Sequence, residues 1–232
     1  MDLSANFRYL ILGADRSGKS VFLQNLMCSA AALDCERYLV DLDKTDGPAA
    51  AATGTAYITD QDGLLKLARR LLETTNERGA LRKQLRTDGL DDEEIYDAIA
   101  AKFPPIFVFF ANFKTFLDAA YKRIEGVGQI GASMQPIFEK GRSLNVFFFA
   151  AANSGSIAQM SDKAAYLSFV RNCPGVLLGT ELPRQNVFQF QNIRYNEQNK
   201  RYKAGICYAT NQQDPQTMDL IVFPNNKRSK AK

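Results

Sequence analysis

Tyr9-Leu10-Ile11-Leu12-Gly13-Ala14-Asp15-Arg16-Ser17-Gly18-Lys19-Ser20-Val21-Phe22-Leu23 decides the fold of this chain. Its centre is a complete G-x-x-x-x-G-K-[ST] loop. The apolar run Tyr9 to Leu12 reads as a buried strand entering the loop, and Val21 to Met27 reads as the opening of a helix leaving it. Glycines let the backbone curl until successive N–H groups point inward, and the helix N-terminus adds partial positive charge, so the loop suits phosphate. The candidate binding positions are Gly13, Asp15, Arg16, Ser17, Gly18, Lys19, Ser20 and Val21. Lys19 supplies a full cation and the Ser20 hydroxyl is a candidate ligand for Mg2+. A glycine-rich turn with no ligand is the plainer alternative, but it leaves a Lys-Ser pair at this spacing without a reason.

Working outward, the 232 residues suffice for one large domain, or a core with an appended subdomain, and a hydrophobic fraction of 46% supports a sizeable core. The net charge of +4 is mild, and much of it lies in Asn225 to Lys232. That segment reads as a basic disordered tail; no aromatic interleaves its charges, which argues against a nucleic-acid arm. Cys28, Cys35, Cys173 and Cys207 form no C-x-x-C pair, and the chain has no histidine. The usual zinc spacings and histidine-dependent nucleophilic machinery are therefore excluded, and the scattered thiols suit a reducing compartment. No signal peptide is visible. The longest apolar runs, at 106–111 and 146–152, are strand-sized and short of the roughly 20 residues of a membrane helix. The expectation is a soluble fragment of a longer polypeptide, since Met1-Asp2-Leu3 runs almost directly into the first strand.

Strands are expected at 9–12, 38–42, 56–59, 106–110, 146–152 and 176–178. Their continuous apolar character points to burial on both faces, hence a mostly parallel sheet covered by helices. Helices are expected at 61–85, with a stripe of Leu64, Leu65, Leu67, Ala68, Leu71 and Leu72, at 91–102 behind an acidic start, and largely through 126–140. Short strands with polar turns at 186–195, 205–210 and 220–223 read as an antiparallel β extension. The expected organisation is one domain over 1–224, with a nucleotide-binding core at 1–185 and the β extension at 186–224, followed by the tail at 225–232.

Five segments in order resemble the FtsK/SpoIIIE branch of RecA-like motor ATPases. They are the phosphate loop, Tyr38 to Lys44 with its aspartate-lysine, Ile58-Thr59-Asp60 leading to Glu73 through Arg78, Pro105 to Phe116 in the Walker B place, and Gly141 to Asn153 in the strand that normally ends in a Thr-Gln sensor. The resemblance implies an α/β RecA-like P-loop NTPase fold, ATP and Mg2+ as cofactors, and a ring, a hexamer, in the full assembly. The chain departs from the family pattern where the chemistry is done. The Walker B acids are replaced by Ala111 and Asn112, neither of which is a general base, and the sensor place holds Ala152 and Asn153. Of these, Asn153 keeps the capacity to hydrogen-bond a terminal phosphate. Asp15 puts an anion inside the loop, with Arg16 beside it.

A kept cradle beside a lost acid pair resembles the last, degenerate ATPase domain of type VII secretion motors, the EssC/EccC family. That resemblance implies a membrane-anchored motor at the cytoplasmic face of the plasma membrane, preceding ATPase domains in the same polypeptide, and small secreted helical substrates of the WXG type. The modest charge argues against DNA as a partner. Two other readings stay open: an active translocase subunit whose acid comes from Asp41, Asp43 or Asp46, and an interaction scaffold that binds no nucleotide. Arg142 and Arg184 read equally as nucleotide or interface arginines and as surface salt bridges. The charged set Glu73, Glu77, Arg78, Arg82 and Lys83 reads as a solvated helix face or a subunit contact.

Overall fold

The computed structural model describes residues 6–125, 128–188, 199–200, 206–210 and 218–222. Its described strands are β1 (Arg8–Gly13), β2 (Glu36–Val40), β3 (Ala56–Ile58), β4 (Ile106–Phe110), β5 (Val146–Asn153), β6 (Gly175–Leu178), β7 (Ile206–Thr210) and β8 (Met218–Val222). They form a single sheet in the order β3-β2-β4-β5-β1-β6-β7-β8. The pairs from β3 through β6 are parallel, whereas β6–β7 and β7–β8 are antiparallel. This is the expected mixed sheet with its antiparallel C-terminal side. Of the expected strand at 186–195, residues 186–188 form bends and 189–195 lie outside the described residues, as does the tail at 225–232.

The described helices are α1 (Lys19–Ala30), α2 (Gly47–Thr53), α3 (Gln61–Thr87), α4 (Asp92–Lys102), α5 (Phe113–Ala120), α6 (Ile130–Lys140) and α7 (Ala164–Val170). Alternate residues of each central strand enter two separate cores. One joins Leu10, Leu12, Val108, Phe110, Phe148 and Ala150 to α3, α5, α6 and α7; the other joins Ile11, Phe107, Phe109, Phe147 and Phe149 to α1 and α2. Burial on both faces is why the strands read as unbroken apolar runs. The phenylalanines stack across the β4–β5 pair: Phe107 lies over Phe147 at 5.2 Å and Phe109 over Phe149 at 5.1 Å between ring centroids.

Helix starts follow local chemistry. Asp91 caps α4 by accepting from Glu93 N and Glu94 N, while Glu94 reaches back to Asp91 N. Asp60 caps α3 by accepting from Gly63 N at 2.8 Å. The stretch expected to be largely helical, 126–140, holds α6, which starts at Ile130 after a bridge between Ile124 and Gly128. One expectation needs correction. Arg78 is not on a solvated face: it is 2% exposed. Its guanidinium donates to the carbonyls of Leu144 (2.7 Å), Asn145 (3.2 Å) and Pro104 (2.9 Å), tying α3 to the chain entering β4 and β5. Glu73, Glu77 and Lys83 of the same set are exposed.

Candidate functional site

Because β1 to β6 run parallel, their C-terminal ends open on one edge, and the loop Gly13–Ser20 leaves β1 there. Gly13 has to be glycine: a Cβ on it would stand 2.6 Å from Ser17 Oγ and press on Leu178. Gly18 sits at φ 100, directly before α1, in backbone that glycine adopts without strain. Arg16 takes the same left-handed region at φ 58, a position that costs a non-glycine residue about 1 kcal/mol. The first turn of α1 carries no acidic side chain, so nothing on the helix itself offsets the positive end of its dipole.

Lys19 lies against its own loop, its Nζ donating to the Ala14 carbonyl at 2.6 Å. Burial lowers the Lys19 pKa, and the nearby Asp15 charge works in the opposite sense. Ser17 Oγ is buried with no hydrogen-bond partner, whereas Ser20 and Val21 are exposed at the helix start. The donors gathered here, an ammonium, two serine hydroxyls and the N–H groups opening a helix, are those that fit a phosphate. Mg2+ would find the Ser20 hydroxyl; among the described residues no three metal-ligating side chains are grouped together.

The next strand along, β5, meets the loop directly. Gly13 pairs in register with Asn153, and Ser154 N donates to Gly13 O at 3.1 Å. Asn153 Nδ2 donates to Asp15 Oδ1 at 2.6 Å, and its Oδ1 accepts from Gly155 N at 2.8 Å. Asn153, in the sensor place, thus bridges to the anion in the loop. One strand further, Ala111 and Asn112 follow β4. Asn112 Oδ1 caps α5 by accepting from Thr115 N, and its Nδ2 donates to Asp43 Oδ2. The sequence did not reveal either bridge, since each pairs residues far apart in the chain.

The three aspartates of the alternative reading fall into different roles. Asp41 is 1% exposed, and its Oδ2 accepts from Thr45 N, Asp46 N and the Tyr57 hydroxyl, which makes it the organiser of the turn after β2. Asp46 is buried and accepts from Gln24 Nε2 of α1 at 2.7 Å. Only Asp43 is exposed at the edge. Arg142 donates to both Glu93 oxygens, at 2.8 and 3.1 Å, at the N-terminal end of β5 and so at the opposite edge from the loop. Arg184 pairs with Glu181 at 3.0 Å. Both arginines are engaged in surface salt bridges within the chain.

A parallel sheet with a glycine loop at its edge, helices on both faces and an antiparallel side defines a P-loop ATPase of RecA-like fold. The chain belongs to the FtsK/SpoIIIE family, whose model matches residues 1–148. No curated protein matches it in sequence. Among solved structures it is similar to the cytoplasmic domain of the Thermomonospora curvata type VII secretion ATPase EccC (TM-score 0.67, 12% identity, 96% of this chain and 24% of that one). It is also similar to EssC ATPases 2 and 3 from Geobacillus thermodenitrificans (TM-score 0.69, 16% identity, 97% of this chain and 38% of that one). A third is the pCW3 conjugation coupling protein TcpA, in monomer form with ATPγS (TM-score 0.72, 13% identity, 96% of this chain and 62% of that one). These identities carry the fold alone. The chain spans between 24% and 40% of the length of the first three structures it resembles. No helix among the described residues is long and apolar enough to cross a membrane.

Proposed function

We propose that this chain is a nucleotide-binding domain of a multi-domain type VII secretion ATPase, able to hold a nucleotide of the ATP class with Mg2+ but not to cleave it at a motor's rate. In this reading residues 1–224 form one domain, with Gly13, Asp15, Arg16, Ser17, Gly18, Lys19, Ser20 and Val21 lining the nucleotide and Ser20 reaching the metal. The observation that carries it is the contrast across the sheet edge. Lys19 and the start of α1 keep the chemistry of a phosphate cradle, whereas β4 is followed by Ala111 and Asn112 where a metal-orienting acid and a general base are needed. Bound nucleotide then acts by mass action, stabilising the folded or assembled state by about 2.7 kcal/mol at a hundredfold excess over Kd.

The wider setting follows from the kinds of protein it resembles. The domain works at the cytoplasmic face of the plasma membrane, beside preceding ATPase domains of the same polypeptide, in a hexameric assembly. It regulates or docks export of small helical WXG-type substrates. One similar structure, EccC ATPases 2 and 3, is a complex with a signal sequence peptide, which supports a docking role.

Titration of the wild-type chain and Lys19→Ala with a fluorescent ATP analogue tests the reading. Loss of one charge-assisted contact is worth about 1.5–3 kcal/mol, so Kd should rise at least about tenfold in the variant. Equal binding by both proteins would show that Lys19 does not hold the nucleotide and overturn the loop assignment, and binding by neither would favour the nucleotide-free scaffold.

A further inference from the structure

We propose that Asp15 makes this cradle prefer a nucleoside diphosphate over the corresponding triphosphate, with Asn153 as the positioning residue that holds the carboxylate in place. The proposal rests on the nucleotide reading above and narrows the ligand of the same site. Strand β5 lies between β1, which carries the loop, and β4, which leads into Ala111 and Asn112. A phosphate held by the start of α1 leaves that strand order with one consequence. Any further phosphate reaching toward β4 has to cross the tip of β5, where Asn153 Nδ2 and Asp15 Oδ1 meet at 2.6 Å.

Three features make that crossing unfavourable for an added phosphate. Asp15 is an anion and an acceptor only, so it repels a phosphate oxygen instead of donating to it. Asn153 has one amide hydrogen on Asp15 and its oxygen on Gly155 N, so only its second amide hydrogen is left for a phosphate, and donating it holds that phosphate beside the carboxylate. Among the described residues Asp15 forms no ion pair with Arg16 that would offset its charge. One extra like charge about 4 Å away changes affinity about fivefold in water and more where water is partly excluded.

The test is a set of calorimetric titrations of the full chain with ADP and with the non-hydrolysable triphosphate AMP-PNP, at one fixed Mg2+ concentration. Wild type should bind ADP at least about fivefold more tightly. Asp15→Asn, which keeps the shape and removes the charge, should tighten AMP-PNP binding at least about fivefold more than it tightens ADP binding. Asn153→Ala, which releases the carboxylate, should narrow the preference in part. Far-UV circular dichroism and a thermal melt establish that each variant is folded. A wild-type preference for AMP-PNP, or a ratio that Asp15→Asn leaves within about twofold of wild type, overturns the proposal while leaving a Lys19-dependent nucleotide site standing. Binding of neither nucleotide by folded wild type and folded Asp15→Asn overturns the nucleotide reading, and this proposal with it.

Discussion

Asn112 Nδ2 donates to Asp43 Oδ2 at 2.8 Å, so the residue that stands for a catalytic acid after β4 is hydrogen-bonded to a real carboxylate after β2. Thr115 Oγ1 donates to the same oxygen at 3.3 Å. Asp43 is thus an exposed aspartate bonded to two residues at the start of α5. On the proposed function its role is to cap and orient, not to activate water. Asp43→Asn should leave phosphate release from ATP unchanged and shift the urea midpoint only slightly, since exposed hydrogen bonds contribute about 1 kcal/mol or less. A large loss of ATP turnover in this variant would instead establish Asp43 as a substitute acid.

Lys19 gives the site a pH signature. Burial lowers its pKa, with Asp15 opposing that shift, and a bound phosphate must raise it again by favouring the charged form. Binding therefore takes up a proton wherever free Lys19 has begun to lose one. Nucleotide affinity should be flat near neutrality and fall as the pH rises through the lowered Lys19 value, on the alkaline side. Titrations from pH 7 to about 10 measure this, and a Lys19→Arg variant should flatten the alkaline limb because guanidinium stays charged.

Arg78 holds the far edge of the sheet together. Removing its side chain withdraws a donor from three carbonyls, of which Asn145 O keeps Ile106 N, and uncovers the face of Phe103, over which the guanidinium lies at 5.1 Å. Arg78→Met should cost about 2–4 kcal/mol in chemical denaturation, with the nucleotide Kd unchanged because the loop lies at the opposite edge. Arg78→Lys should recover only part of the loss, since one ammonium does not span three acceptors.

Glu36 contributes an acid-side dependence of stability. Its carboxyl pKa is lowered chiefly by the Arg70 hydrogen bond, helped by the Tyr38 hydroxyl, which donates at 2.8 Å. A folded-state value below the unfolded one means the contribution is complete above the ordinary carboxylate range and is lost as the pH falls through the lowered value. Thermal melts of Glu36→Gln should show a shallower decline below about pH 4.5 than wild type, with the two curves parallel near neutrality.

Local signals carried most of the fold. The buried strands declared themselves because both faces of the sheet are covered, so β4 and β5 are apolar at every position from Ile106 to Phe110 and from Val146 to Ala152. The acidic start of α4 and the stripe of α3 were equally plain, although Leu72 turns out to be exposed. Arg78 was misread because a charged residue on an otherwise polar helix face gives no sign that backbone carbonyls from two other segments converge on it. The turn from β1 into α1 was legible for a different reason: its glycines and its Lys-Ser pair are adjacent in sequence. The Asp15–Asn153 and Asp43–Asn112 bridges were not, because strand order brings together residues 138 and 69 positions apart. The strain at Arg16 was hidden too, since the sequence shows the residue but not its backbone angle.

The central claim is that this chain holds a triphosphate-class nucleotide without cutting it. The most direct measurement is phosphate release from ATP by the purified chain, in a sample shown by titration to be saturated. The account predicts Lys19-dependent binding with release far below the roughly 1–100 per second of working phosphoryl-transfer enzymes. Release within that range, abolished by Lys19→Ala, would contradict it.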